Sequence, residues 1–247
     1  MKESYRNIAV VIEIGNSIKY LRNGLAEIQK ISAANNFYDS PLIYLSGGLE
    51  RLFKSMICLN FKEKTGRLPN YKELMEGNNG HNIEYLKRKV EEICVPVERP
   101  FAQMDYDIIT KDELINKICK TLSEYGQKAR YFNLDAILGN EQEFDAKKEW
   151  EKIESIILKD FFGESEFYKL LGDPKKLEMI YQKSNELLVS RIELFLRAVT
   201  RQFTFGNFSS NSKMFLFEVD SFSDIKDNQI GKTDYRRLKN HERVKRN

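Results

Sequence analysis

The sequence predicts a mostly α-helical protein, and three observations carry that expectation. Glycine and proline are scarce, 13 and 5 among 247 residues. Apolar residues recur three and four positions apart over most of the chain, the period of a helix with one buried face. Capping residues stand where several of these runs begin. Ile8, Val11, Ile12, Ile18, Leu21, Leu25 and Ile28 form the first stripe and predict a helix over about residues 5–30. Asp39-Ser40-Pro41, an N-cap and N1 pairing, opens a second helix to about Lys64. Its apolar set (Leu42, Leu45, Leu49, Leu52, Phe53, Met56, Ile57, Leu59) is nearly two faces wide, which marks it as central. Gly66 and Pro69 end it. A helical turn over about 71–76 and a Gly-Asn-Asn-Gly loop then lead to a third long helix, His81 to about Cys94.

Val95–Ile109 contains two prolines and reads as a loop or edge segment. Thr110 and Glu113 have capping-box spacing for a helix over about 111–126. Another helix is expected over about 143–162 around Trp150, Ile153, Ile156, Ile157 and Phe161. Asp173-Pro174 opens a long one to about 201, with Leu177, Ile180, Tyr181, Leu187, Leu188, Ile192, Phe195, Leu196 and Val199 on its buried side. Beyond it the pattern changes. Phe203, Phe205, Phe208, Phe215, Phe217 and Phe222 are interspersed with Asn, Gly and Ser, which suits a hairpin, an edge strand or an extended arm. That run packs on the bundle or forms a dimer or partner interface. The first four helices are expected to form the core.

Composition excludes several functions. With 41% hydrophobic and 31% charged residues, the chain is neither disordered nor membrane-spanning in character. The five-residue apolar run before Glu13 is too short for a signal peptide or a membrane span. Cys58, Cys94 and Cys119 are odd in number and form no Cys-x-x-Cys, so they read as buried thiols of a cytoplasmic protein. The net charge of +3 conceals an uneven distribution: residues 232–247 carry seven basic and two acidic side chains, leaving a mildly acidic body. The basic tail suits contact with RNA or an acidic partner, or simple solubilisation.

Gly48-Leu49-Glu50-Arg51-Leu52 on one helix, a Gly/Pro break, and Gly80-His81-Asn82-Ile83 opening the next resemble the HEPN superfamily, a helical domain shared by higher eukaryotes and prokaryotes. Lys128-Ala129-Arg130-Tyr131-Phe132 resembles the Arg-Tyr turn that these domains carry later. The resemblance covers about residues 5–135. It implies an up-and-down bundle of four to five helices that dimerises, in an anti-phage defence or toxin–antitoxin type system. Active members are metal-independent endoribonucleases, and others are catalytically silent binding modules. The active ones share an Arg-x(4–6)-His motif. In it the His moves the proton of the 2′-hydroxyl or leaving oxygen, while the Arg stabilises the charged phosphorane. Here Arg236 and His241 alone have that spacing, in the polar tail, and no His follows Arg130.

These readings divide the chain into an HEPN-like bundle over 1–138, additional long helices over 139–202, and an aromatic arm with a basic tail over 203–247. The expected function is an endoribonuclease using Arg236 and His241, with a homodimer, a partner protein or RNA as its partners. The alternative is a silent module that binds a protein partner or a nucleotide-like ligand. Arg51, Lys54, His81, Arg88 and Arg130 are the candidate ligand or RNA contacts. His81 stands at a helix start, where exposed N–H groups favour an anion; its structural reading is an imidazole bonded to the second helix. Glu50 and Arg51, flanked by leucines, are expected to pair with polar groups on another helix.

No cofactor, metal or membrane is expected. Asp105, Asp107, Asp220, Asp224 and Asp227 read as solvated loop acids. Leu45-Ser46-Gly47-Gly48 and Gly231-Lys232-Thr233 copy fragments of ATPase motifs. The second lacks the glycine that a phosphate loop needs at position 226, which is Lys. Gly47-Gly48 instead suits close approach between helices.

Overall fold

The computed structural model describes residues 3–74, 80–94, 100–141 and 144–238. The chain is mostly helical. In order come α1 (Glu3–Ile28), α2 (Asp39–Thr65), α3 (Tyr71–Leu74), α4 (Ile83–Ile93), α5 (Pro100–Lys111), α6 (Glu113–Gln127), α7 (Phe132–Ile137), α8 (Ala146–Phe162), α9 (Glu164–Leu171), α10 (Leu177–Phe205) and α11 (Leu216–Ser223). Short 3-10 turns link several of them. Among the described residues there is no strand, only an isolated bridge between Ser32 and Asn35. No helix among them is long and apolar enough to cross a membrane.

α1 and α2 form an antiparallel hairpin with the most extensive helix–helix contact in the molecule. Its closeness is set by glycine. A Cβ on Gly24 would lie 2.6 Å from Leu45 Cδ2, and one on Gly48 would lie 2.7 Å from Leu21 Cγ. Each helix therefore seats a leucine of its neighbour against bare backbone, a packing that a side chain at either position would prevent. Gly47 is less tightly held, with Tyr20 at 3.2 Å.

Several expectations are corrected. The first stripe is buried only from Ile14 onward; Tyr5, Ile8, Val11 and Ile12 are exposed. α2 begins at Asp39 itself, after Tyr38, which gives no side-chain cap. The Asp39 carboxylate is engaged in tertiary structure, accepting from Tyr125 Oη at 3.1 Å. Residues 95–99 of the expected loop lie outside the described residues, and 100–109 is helical. Pro100 is tolerated at a helix start, and Ala102, Asp105 and Ile109 form the buried side of α5. Thr110 bonds back to Tyr106 O within α5 (2.8 Å). The cap of α6 is Asp112, which accepts from Ile115 N–H at 3.0 Å.

The core is not confined to the first four helices. One apolar cluster runs from Ile14 to Tyr235 and takes α10 as a wall, through Leu188, Ile192, Phe195, Leu196, Val199 and Phe203. The aromatic run is no hairpin. Gly206, at φ +72°, ends α10 in the left-handed region. Ser210–Phe215 forms a 3-10 turn and Leu216–Ser223 a helix. Phe215, Val219 and Phe222 follow helical spacing, and Phe208 and Phe222 are completely buried, so the arm completes the core. Phe203 and Phe208 meet edge to face at 5.0 Å.

Candidate functional sites

The expected ligand residues fall into separate groups. Asn82 caps α4 by accepting from Tyr85 N–H at 2.9 Å, which places His81 just before the helix. The His81 ring reaches α2, with Nδ1 3.0 Å from Glu50 Oε2. Glu50 Oε1 also accepts from Lys54 Nζ at 2.6 Å. The C-terminal turn of α6 closes over this corner, where a Cβ on Gly126 would lie 3.7 Å from His81 O. Arg51, the next residue on α2, turns toward α1. It pairs with Glu13 at 2.5 Å and lies 5.1 Å from the centre of the Tyr20 ring. Successive helix positions differ by about 100°, so Glu50 and Arg51 serve different neighbours. Arg88 is exposed on α4, and Arg130 on the turn Ala129–Tyr131 after α6.

Arg236 lies in the turn Tyr235–Arg237, doubly bonded to Asp234 (2.8 and 3.0 Å). His241 lies outside the described residues. No cluster of three or more His, Cys, Asp or Glu able to hold a metal occurs among the described residues. Burial pushes the Cys58 thiol up to about 11 and Cys119 to about 12, and it raises Cys94 as well, which suppresses thiolate chemistry at all three.

Three buried acids, Asp105, Glu154 and Glu193, escape sequence reasoning. Asp105 is no solvated loop acid. It is buried on α5, its Oδ1 3.6 Å from an Arg201 guanidinium nitrogen. Burial outweighs Arg201 and Arg197 and pushes its carboxyl up to about 6. Glu154 sits in the buried face of α8, pushed up to about 7 by burial, and accepts from Tyr38 Oη at 2.9 Å. Its position in the stripe of Trp150, Ile153 and Leu158 is a signal that the sequence does contain.

Among the concavities large enough for a small ligand, two are bordered by several helices and the loops between them. One, of about 480 Å³, lies between the starts of α2 and α8 and the end of α6, with Phe37, Tyr38, Phe132 and Lys147 on its walls. The other, of about 550 Å³, lies between the end of α1, the outer face of α10 and residues 231–236. Gln29 anchors that last segment. Its Nε2 donates to Thr233 O and its Oε1 accepts from Tyr235 N–H, each at 2.8 Å. Buried Glu193 receives Gly231 N–H and Tyr235 Oη at 2.5 Å each. Gly231-Lys232-Thr233 is thus fixed as a wall of the cavity. Compared with known proteins, the chain matches no family model, no curated protein and no solved structure.

Proposed function

We propose that the protein is a helical binding module that acts as a homodimer, joined through the outer face of the first half of α1, within the HEPN-like defence or toxin class that its sequence resembles. Gly15 carries this reading. A glycine inside a helix costs about 1 kcal/mol relative to alanine, a cost that close packing against the bare backbone can offset. Gly24 and Gly48 have that packing within the chain. A Cβ on Gly15 would meet nothing within 4 Å.

On the N-terminal side of Gly15 the exposed face of α1 presents Ser4, Tyr5, Ile8, Ala9, Val11 and Ile12, and the exposed Lys19 stands one turn after it. From Ser4 to Gly15 this strip runs about 17 Å along the helix, at 1.5 Å per residue. Exposed apolar strips of this kind mark association surfaces. An uncharged strip is complementary to itself, as a twofold interface requires. A second α1 passing at Gly15 explains why a side chain is missing there.

The partners of the candidate ligand residues favour binding over RNA cleavage. His81 is bonded to Glu50 and Arg51 to Glu13, so the imidazole and the guanidinium are each engaged by a different carboxylate. Sedimentation across a concentration series tests the dimer. The wild type is expected to dimerise, and Ile12→Glu to remain monomeric with its helical circular dichroism intact. A monomeric wild type at high micromolar concentration overturns the dimer. RNA cleavage that persists in EDTA and disappears in His241→Ala or His81→Ala would restore the nuclease reading.

A further inference from the structure

Two arginines one turn apart on α10, Arg197 and Arg201, join three elements. Arg197 Nη1 donates to Ile225 O at 3.1 Å and pairs with Asp227 at 2.6 Å. Arg201 Nε donates to Ser223 O at 3.2 Å. Together they tie α10 to the segment that follows α11. The third element is α5, which packs on α10 and buries Ala102, Asp105 and Ile109. Here the polar contact is loose: Arg201 Nη1 stays 3.6 Å from Asp105 Oδ1, beyond hydrogen-bond reach.

Asp105 is 2% exposed, and its Oδ2 has no hydrogen-bond partner among the described residues. A carboxylate keeps its charge in the interior by collecting several donors or a close cation; without them the neutral acid is favoured. Arg197 Nε is also buried without a partner there, so this guanidinium has a free donor that it does not turn onto Asp105. The other charges at the joint are engaged elsewhere. Asp227 is held by Arg197, and Asp224 accepts from Ser223 Oγ at 2.9 Å. On α5 itself Asp107 pairs with Lys111 at 2.8 Å. On α4, which also packs on α5, Glu91 pairs with Lys87 and Glu92 with Lys89. Asp105 is set apart from these by its burial and by an arginine held at a distance.

We propose that Asp105 makes the packing of α5 on α10 a proton-operated joint: α5 is seated while this carboxyl carries its proton, and loss of the proton loosens the helix from α10. The proton removes a charge that the interior does not solvate. Once it leaves, Oδ2 is hydrated only if α5 moves away from α10 and admits water. The direction of titration agrees, since burial pushes the carboxyl up to about 6 from an ordinary 3.8, against the pull of Arg201 and Arg197. The seated helix therefore keeps the proton at pH values where the opened helix has lost it. Seating is strongest below 3.8, weakens as pH rises to about 6 and is constant above that. Across that window the opening equilibrium rises by up to about a hundredfold. Arg197 and Arg201 keep their bonds to residues 223–227 in both states, so the movement is confined to α5.

Hydrogen exchange of the full chain from about pH 4 to about pH 8, read by mass spectrometry and corrected for the intrinsic chemical rate, tests this. Peptides covering 100–111 are expected to open up to about a hundredfold more between about pH 4 and 6, relative to peptides of α2, and to level off above. Asp105→Asn keeps the shape and removes the charge, so its 100–111 peptides should follow α2 at every pH. Carbon-13 labelling of aspartate carboxyls reads the proton directly in the wild type. The Asp105 resonance, identified by its absence from Asp105→Asn or, should that variant not fold, from Asp105→Ser, should titrate near pH 6. The proposal is overturned if that resonance titrates below about pH 4.5, if wild-type 100–111 keeps pace with α2 across the range, or if Asp105→Asn retains the wild-type profile.

Discussion

The two halves of α1 are made of similar residues and meet opposite fates. From Ile14 to Ile28 the helix is locked into α2, with Leu21 on Gly48 and Leu45 on Gly24. From Tyr5 to Ile12 the same kind of stripe, aliphatic and at helical spacing, faces outward. One glycine, Gly24, has a leucine against it; another, Gly15, stands where the two halves join, beside open space. The contrast teaches that periodicity declares an apolar face but not which molecule covers it.

Truncation should separate the halves most strongly. Leu21→Ala is expected to destabilise the fold by about 2–5 kcal/mol, whereas Ile8→Ala should change monomer stability by no more than about 0.5 kcal/mol. Urea unfolding of both variants, made in the Ile12→Glu monomer background, checks this; equal losses would erase the distinction. Adding a methyl group comes next. Gly24→Ala and Gly48→Ala force a Cβ into the neighbouring leucine and should each cost about 1–3 kcal/mol.

The packed end of the hairpin also responds to pH, through Tyr38 and Glu154. The Glu154 carboxyl is pushed up to about 7 from an ordinary value near 4.5, so the native state keeps its proton where the unfolded chain has lost it. Stability from this group is complete below about pH 4.5 and falls as pH rises toward 7. Glu154→Gln removes the dependence and keeps an acceptor for Tyr38. Its stability relative to wild type should grow across that window, by about 3 kcal/mol. A pH-independent difference between the two would show that Glu154 keeps its charge when folded. The smallest expected change is the most diagnostic for the bare half. Gly15→Ala should raise monomer stability by up to about 1 kcal/mol and weaken self-association, a combination that a mutation in the core does not produce.

The sequence made most of the helices legible because an amphipathic period and a cap are local properties. Asp145 and Asp173 cap the elements they precede, and α2 and α10 carry their expected faces inward. The α5 region was obscured by Pro100, which begins a helix as readily as it breaks one. The aromatic run was misread because phenylalanine favours strands locally, whereas here its position is decided by contact with α10. The structural reading of His81 matches its bond to Glu50. The cavity beside α10 was not legible at all. Its walls come from residues about 150 and 200 positions apart, and it exists only once the chain has folded.

The attachment of residues 231–235 to Gln29 and Glu193 has a consequence for biosynthesis. The α1–α2 hairpin consists of contacts between neighbours in sequence and can form while the rest of the chain is still being translated. Gln29 and Glu193 receive their bonds from Tyr235 only after that residue has left the ribosome. A nascent chain stalled before that point would hold a finished hairpin with these bonds unmade, so the last step of assembly is a clasp that closes over the first helix made.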